Sequence, residues 1–379
     1  MKLPSDITAL ILQKLGMPDL VSAKQVAYAR KLHVIRKQMK DLASDFASCV
    51  PSEDRYSDAY FIHNFPTNLA KTMVVVQEIV RRYPELLKEK KFLRVLDIGC
   101  GEGAGSYGVF YALKELTRIK HFKIKGVDGS QKMLSRAENL YGYLRHIDPN
   151  FRMRLLKRKI GHGYGFARRP TYDIVLCVNS LAEILSGDRI PMRFINSIMH
   201  CLNDDGLFII IEPALKKFSR RLMRLRDELL LHKRAQVLAP CLHAGRCALL
   251  RVEARNEWCH QSVTWSPPLF LELINQGLNR EIDVLKFAYL VIARRRTHLR
   301  RSGGYRVVSQ LLKEKGKQRC FLCTPDGRVE LARLDRSYSV TNAAFDEIHK
   351  GAVVSLKGVL SRKKNHWRVT EQTKVDIVK

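Results

Sequence analysis

From Ile7 to about Arg82 apolar residues return every three or four positions, as in ITALILQKL and NLAKTMVVVQEIVRRY, a spacing that puts them on one face of amphipathic helices. The pattern changes at Phe92. Short apolar runs, RVLDIG, KIKGVDG, YDIVLCVNS and GLFIIIEP, then alternate with helical stretches. Strands this apolar are buried on both faces, which predicts a parallel sheet covered by helices. After Pro213 a basic helical segment, LKKFSRRLMRLRDELLLHKRA, leads into a cysteine-rich stretch, and DVLKFAYLVIARR reads as a strand returning to the sheet. Beyond RRRTHLRRSGG, the runs GAVVSLKGVL, HWRVTE and VDIV predict short strands. The expected organisation is a helical N-terminal region at 1–90, an α/β domain at 91–300, and a small basic β-rich domain at 301–379.

A chain of 379 residues is long enough for two or three such domains. Its charge changes the picture: 67 Lys and Arg against 37 Asp and Glu leave +30, a field that attracts polyanions. Nucleic acid is the first partner this implies. Anionic membrane is the second, but no apolar run approaches the roughly 20 residues of a spanning helix. Lys24, Arg30, Lys31, Arg36, Lys37 and Lys40 crowd one N-terminal helix, as a solvated face or as an RNA contact. The basic helix at 216–226 and Arg294 to Arg296 are further candidates for phosphate contacts.

The nine cysteines are odd in number and follow no secretory signal, so a reducing compartment is expected rather than a disulfide framework. The N-terminus carries Asp6 and Asp19 on helical spacing, unlike an acid-poor transit peptide. Bacterial cytoplasm is therefore the expected location, with the mitochondrial matrix as the alternative. No oligomer is expected.

The stretch VLDIGCGEGAGS stands where a strand hands over to a helix, and its glycines allow close backbone approach and positive φ. Glycines alone also fit a dinucleotide loop. Asp97, two residues before the first glycine, argues against a pyrophosphate, which it would repel. The segment resembles the first motif of class I S-adenosylmethionine-dependent methyltransferases, (D/E)xGxGxG, matched by Asp97, Gly99, Gly101 and Gly103. The resemblance implies a seven-stranded Rossmann-like sheet, a donor site that includes Asp128 at the end of the second strand, and Asn179 near the end of the fourth strand facing the donor. Asp173 matches the start of that strand. The alternative for Asp128 and Asp173 is that they are surface carboxylates at strand ends. VNSLAE replaces the (N/D)PP(Y/F) of amino methyltransferases, and Pro240-Cys241 matches a cytosine-C5 nucleophile by dipeptide only, so no catalytic residue is assigned.

Cys241, Cys247 and Cys259, with His243 and His260, concentrate soft ligands in one segment. A four-ligand site needs one more, from His243, His260 or the CFLCTPDG segment with Cys320 and Cys323. The spacings are not those of a zinc ribbon. PCxHxxxC, WCH, FAYLVIARR and LCTPDGR, downstream of the glycine loop, together resemble the methyltransferase-like proteins of the small ribosomal subunit, found in mitochondria and bacteria. That resemblance runs from about Asp54, in DRYSDAYFIHNFP, to about Arg328. It implies a 4Fe–4S cluster on Cys241, Cys247, Cys259 and Cys323, with zinc as the alternative and Cys320 left over. PCLH stands for the family's PCPH, the gap between Cys247 and Cys259 is longer, and IEPALKK replaces the usual turn while keeping Glu212. It also implies the small ribosomal subunit and its rRNA as partners, in assembly or translation. Two roles follow: an rRNA methyltransferase, or a non-catalytic assembly factor using the donor pocket and cluster structurally or for sensing.

Overall fold

The computed structural model describes all residues except 21–27, 49–56, 162–170, 186, 233–234, 277, 279–281, 295–302 and 379, with the backbone alone at 42–48, 57 and 253. Three helices open the chain, α1 (Ser5–Lys14), α2 (Ala29–Ser48) and α3 (Ser57–Arg82). The first sheet follows, with β1 (Phe92–Ile98), β2 (His121–Asp128), β3 (Phe151–Lys157), β4 (Tyr172–Val178), β5 (Leu202–Pro213), β6 (Ala235–Ala239), β7 (Gln261–Thr264) and β8 (Val284–Arg294). Helix α4 (Ala104–Leu116) follows β1 and α5 (Gln131–Ile147) follows β2. The short α6 (Leu181–Ile184) and α7 (Met192–Cys201) separate β4 from β5, α8 (Lys216–Leu231) follows β5, and α9 (Leu269–Asn275) precedes β8.

The strand order is β3-β2-β1-β4-β5-β8-β6. Strands β1 to β5 pair in parallel, and β8 runs antiparallel to both β5 and β6. This is the class I methyltransferase-like α/β fold, whose order reverses at β1 and opens a crevice beyond the carboxyl ends of β1 and β4. The sheet has eight strands rather than the seven expected, because β7 adds to β8 over Gln261–Thr264. That segment, QSVT, has no buried residue, so its strand comes from ladder hydrogen bonds and leaves no hydrophobic trace in the sequence.

Leu93, Val95, Phe122, Ile124 and Phe151 belong to the large core shared with α3 and α4. Leu96, Ile98, Val175 and Cys177 belong to a second core with Phe194, Ile198, Leu222 and Leu225. Helices α3 and α4 approach so closely that a Cβ at Gly108 would lie 2.6 Å from Thr72 Cβ and 2.8 Å from the Leu69 carbonyl. That contact sets α3 over the carboxyl end of the sheet.

The second sheet comprises β9 (Tyr305–Val307), β10 (Leu312–Glu314), β11 (Lys317–Thr324), β12 (Gly327–Leu334), β13 (Val353–Lys357), β14 (Leu360–Lys363), β15 (His366–Val369) and β16 (Lys374–Val378). Its order is β14-β15-β12-β11-β9-β13-β16, with β10 on β11. Val307, Cys320, Leu322, Leu331, Phe345 and Val354 form its core. Buried Arg306 ties this sheet to the rest: its Nε donates to Pro240 O at 2.8 Å, its Nη1 to Gly351 O at 2.8 Å, and its Nη2 pairs with Glu78 of α3. Glu78 also accepts from Tyr289 Oη at 2.7 Å and Arg82 Nη1 at 3.2 Å. Among the described residues no helix is long and apolar enough to cross a membrane.

Candidate functional site

A crevice of about 430 Å³ opens beyond β1, β2 and β4, lined by Asp97, Gly99, Gly101, Asp128 and Asn179 among others. Gly99, Gly101 and Gly103 have φ of +66°, +51° and +89°, a region that glycine enters without steric penalty. At Gly99 space is also decisive, since a Cβ would sit 2.4 Å from Ser180 Cβ. Gly103 caps α4 and opens no crevice wall of its own.

The loop amides are largely spent on the loop. Gly99 N and Cys100 N donate to Val127 O, Gly103 N to Cys100 O, and Gly101 N to Asp128 Oδ2 at 2.8 Å. Asp128 Oδ1 accepts from Ser130 N at 2.8 Å. A carboxylate has about four lone-pair sites, so Asp128 keeps acceptor capacity toward the crevice. Asp97 is buried, and its Oδ2 accepts from Ser106 N at 3.0 Å and Ser106 Oγ at 2.7 Å, satisfying the first turn of α4. Burial pushes its pKa up to about 6, against the Ser106 bonds and with some help from Asp128.

Asn179 adopts φ +53° at the end of β4. Its Nδ2 donates to Asn68 Oδ1 at 2.7 Å, and Lys71 Nζ donates to the same oxygen at 3.3 Å. An ammonium only donates, so Asn68 must present Oδ1 and Asn179 its Nδ2. Asn179 Oδ1 is then left buried at the crevice wall, without a partner among the described residues. Burial lowers the Lys71 pKa to about 8. Sequence reasoning missed Asn64 and Asn68, which α3 brings into the wall. Their signal was two asparagines four residues apart on an otherwise apolar helix face. Asp173 lies at the other end of β4, paired with Lys90 at 2.8 Å and accepting from Arg94 N, outside the crevice.

A second cavity, about 70 Å³, has Cys241, Cys247, Cys259 and Cys323 in its lining. The first two come from the loop after β6, Cys259 from the loop before β7, and Cys323 from β11. Helix α8 organises this rim: Asp227 accepts from Cys247 N at 3.0 Å, Cys259 N points at Met223 Sδ at 3.4 Å, and buried Arg226 donates to the carbonyls of His243 and Gly245. Burial, then the neighbouring thiols, push Cys247 up to about 11 and Cys323 up to about 12, and Cys259 also upward. His243 Nε2 lies 3.3 Å from Cys323 Sγ, whereas His260 Nε2 contacts Lys350 Nζ at 2.8 Å. Cys320 is fully buried in the core of the second sheet. Among the described residues no three His, Cys, Asp or Glu side chains converge closely enough to hold one metal ion.

The arginines of the basic helix have partners within the fold. Arg220 donates to the carbonyls of Leu249, Ala254 and Glu257, Arg221 to Leu185, and Arg224 to Asp188. With Arg226, these guanidiniums tie loops to α8. Arg294 is likewise held by Leu202 O and Asp204 at 3.0 Å, and Arg295 and Arg296 lie outside the described residues, as does Lys24. On α2, Arg36 donates to Leu273 O at 2.6 Å, while Arg30, Lys31, Lys37 and Lys40 are exposed.

No curated protein matches the chain significantly. Among solved structures, the plantazolicin methyltransferase in complex with SAH is 18% identical, covering 75% of this chain and 100% of that one, at a TM-score of 0.34. A SAM-dependent methyltransferase from Aquifex aeolicus is 16% identical over 45% of this chain and 89% of its own, at 0.28. A Listeria monocytogenes protein provisionally described as a class I S-adenosylmethionine-dependent methyltransferase is 15% identical over 78% and 87%, at 0.37. Likenesses this loose are no basis for function. A family model, described as mitochondrial small ribosomal subunit Rsm22, matches residues 54–348. That match takes in both cavities and most of the chain, which therefore belongs to the Rsm22 family.

Proposed function

We propose that the protein is a methyltransferase-like factor of the small ribosomal subunit that binds its rRNA and holds S-adenosylmethionine in the β1–β4 crevice. The carrying observation is the buried, unpartnered Asn179 Oδ1, fixed as an acceptor at a wall shared with Asp128 and the glycine turn. Asp97 anchors the turn and α4, Asp128 offers its remaining lone pairs to hydroxyls, and Asn179 accepts from an N–H or O–H donor. When bound, the sulfonium compound supplies an electrophilic methyl group. Methyl transfer from labelled donor to isolated small-subunit rRNA tests the enzymatic reading.

A non-catalytic assembly role is favoured by a specific observation: the polar groups around the Asn179 turn serve the fold. Ser180 Oγ donates to Ile98 O at 2.8 Å, and Glu212 accepts from Leu181 N at 3.0 Å. Retained rRNA binding with no transferred label would select this role.

The same proposal places a 4Fe–4S cluster on Cys241, Cys247, Cys259 and Cys323. What supports a soft-metal group there is that four thiols from separate segments line one cavity, with zinc as the alternative. Buried Arg226 and Arg306 would offset the charge of an anionic cluster, and binding would displace thiol protons. The division into 1–90, 91–300 and 301–379 belongs to this reading, with Cys323 as the contribution of the last part. The family description supports the mitochondrial matrix over bacterial cytoplasm.

A further inference from the structure

Arg94 in β1 pairs in register with Lys123 in β2, which pairs with Arg152 in β3. Two residues on, Lys125 pairs with Arg154. Side chains alternate along a strand, so both rows project from one face of the sheet. It is the face that, nearer the carboxyl ends, carries Leu96, Ile98 and Val127 into the second core. Arg94, Lys123, Arg152 and Arg154 are exposed and Lys125 is half-buried. A groove of about 330 Å³ runs over them, lined by Arg94, Lys123, Lys125, Arg154, Thr171 and Tyr172.

This arrangement is unusual on physical grounds. Parallel sheets are normally covered on both faces, and like charges directly opposite on neighbouring strands destabilise a sheet. Among the described residues none of the five cations has an ion-pair partner. Asp173, beside Arg94, is already taken by Lys90 and by Asn203 Nδ2 at 2.9 Å. Strand geometry spaces the cations about 4.8 Å across the sheet and about 6.6 Å along it, a grid rather than a point site. A grid suits a polymer of repeating negative charge, and a groove admits a strand where a lipid plane would need a convex or flat surface.

We infer that the β1–β2–β3 face seats the phosphodiester backbone of single-stranded RNA, with its guanidiniums and ammoniums each meeting a phosphate. This rests on the reading that the protein binds small-subunit rRNA and names the surface that does so.

The test is binding of the full chain to labelled oligouridylate across a salt series. The grid variant is Lys123→Gln/Arg152→Gln/Arg154→Gln. The control, equal in charge change, is Arg362→Gln/Lys363→Gln/Lys364→Gln at the exposed end of β14 and the turn that follows it. Because single strands give a slope of about −0.7 per phosphate contact, the grid variant should lose roughly 2 from the slope of log K against log salt, and the control much less. Unchanged thermal unfolding confirms that both variants fold. Equal losses in both would show that affinity follows net charge, overturning the assignment. An unchanged slope in the grid variant, with wild type binding normally, overturns the assignment and leaves the rRNA reading standing. No wild-type binding removes both. Loss of binding to phosphatidylserine vesicles with RNA binding intact would make this a membrane face and also overturn it.

Discussion

The two cavities are built by opposite means. The crevice beyond β1 and β4 is walled by strand ends, one glycine turn and the face of α3, all set by the first sheet and its helices. The cysteine cavity lies between α8, β8 of the first sheet and β9, β11 and β12 of the second, with three of its four thiols on loops, and is held by side-chain bonds from Arg226, Asp227 and Arg306. A site within one sheet inherits the stability of that sheet. A site at the junction of two sheets also depends on the few charges that join them, so damage to each should read out differently.

The largest effect is expected at Arg306→Met, which leaves the half-buried Glu78 carboxylate with Arg82 as its remaining guanidinium and strands the Pro240 and Gly351 carbonyls; we expect a loss of about 3 kcal/mol in denaturant unfolding. Adding Glu78→Gln should recover part of it. Glu78 is held below its ordinary pKa because Arg306, Tyr289 and Arg82 outweigh the opposing effect of burial. Its contribution is therefore present above the unfolded carboxylate pKa and lost as pH falls through the depressed folded value. If Arg306→Met unfolds like wild type, the contrast between the two sites collapses.

Next comes Cys323→Ser. Protein isolated without oxygen should be brown, with iron and sulfide near four each per chain, as the cluster type requires. Cys323→Ser should lose colour and Cys320→Ser should keep it. Colourless wild-type protein with stoichiometric zinc would replace iron by zinc, and colour lost with Cys320 instead would reassign the fourth ligand.

At the crevice, Asp97→Asn should weaken S-adenosylmethionine binding by about 1–3 kcal/mol in a calorimetric titration while leaving colour intact. Wild-type affinity for the cationic donor should fall as pH drops through about 6, where Asp97 takes up its proton. A pH-independent affinity would remove Asp97 from the donor site. Glu212→Gln is read out as a pH profile. Burial lifts this carboxyl to about 8 from 4.5, so wild-type stability declines as pH rises between those values. The variant should lose this decline, its stability rising relative to wild type between pH 4 and pH 9 in denaturant unfolding.

The glycine turn, Asp97 and Asp128 were legible because a strand–turn–helix with positive-φ glycines has a local signature. Strands β4 and β5 were legible because each carries a continuous apolar run, and β1 and β2 because apolar residues lead into the glycine turn and into Asp128, although Arg94, Lys123 and Lys125 interrupt them. Strand β3, FRMRLLK, escaped: its arginines alternate with apolar residues, and against a background of +30 they looked like more solvated charge. The basic helix hides a structural role. Its arginines face carbonyls whose positions depend on loops 17 to 37 residues away in sequence, which no periodicity records. Asn68 and Asn179 meet across 111 residues, and only the packing of α3 on α4 brings them together.

The Arg306 junction also orders events in time during synthesis. Residue 78 is made first, the loop around Pro240 far later, and Arg306 and Cys323 after both. A nascent chain that has released its first sheet, through β8, can already shape the crevice, yet it has only three of the four thiols and no strand to close over them. A premature stop between Arg294 and Cys323 would therefore leave every strand of the first sheet in the product while taking away the strand that completes the second cavity.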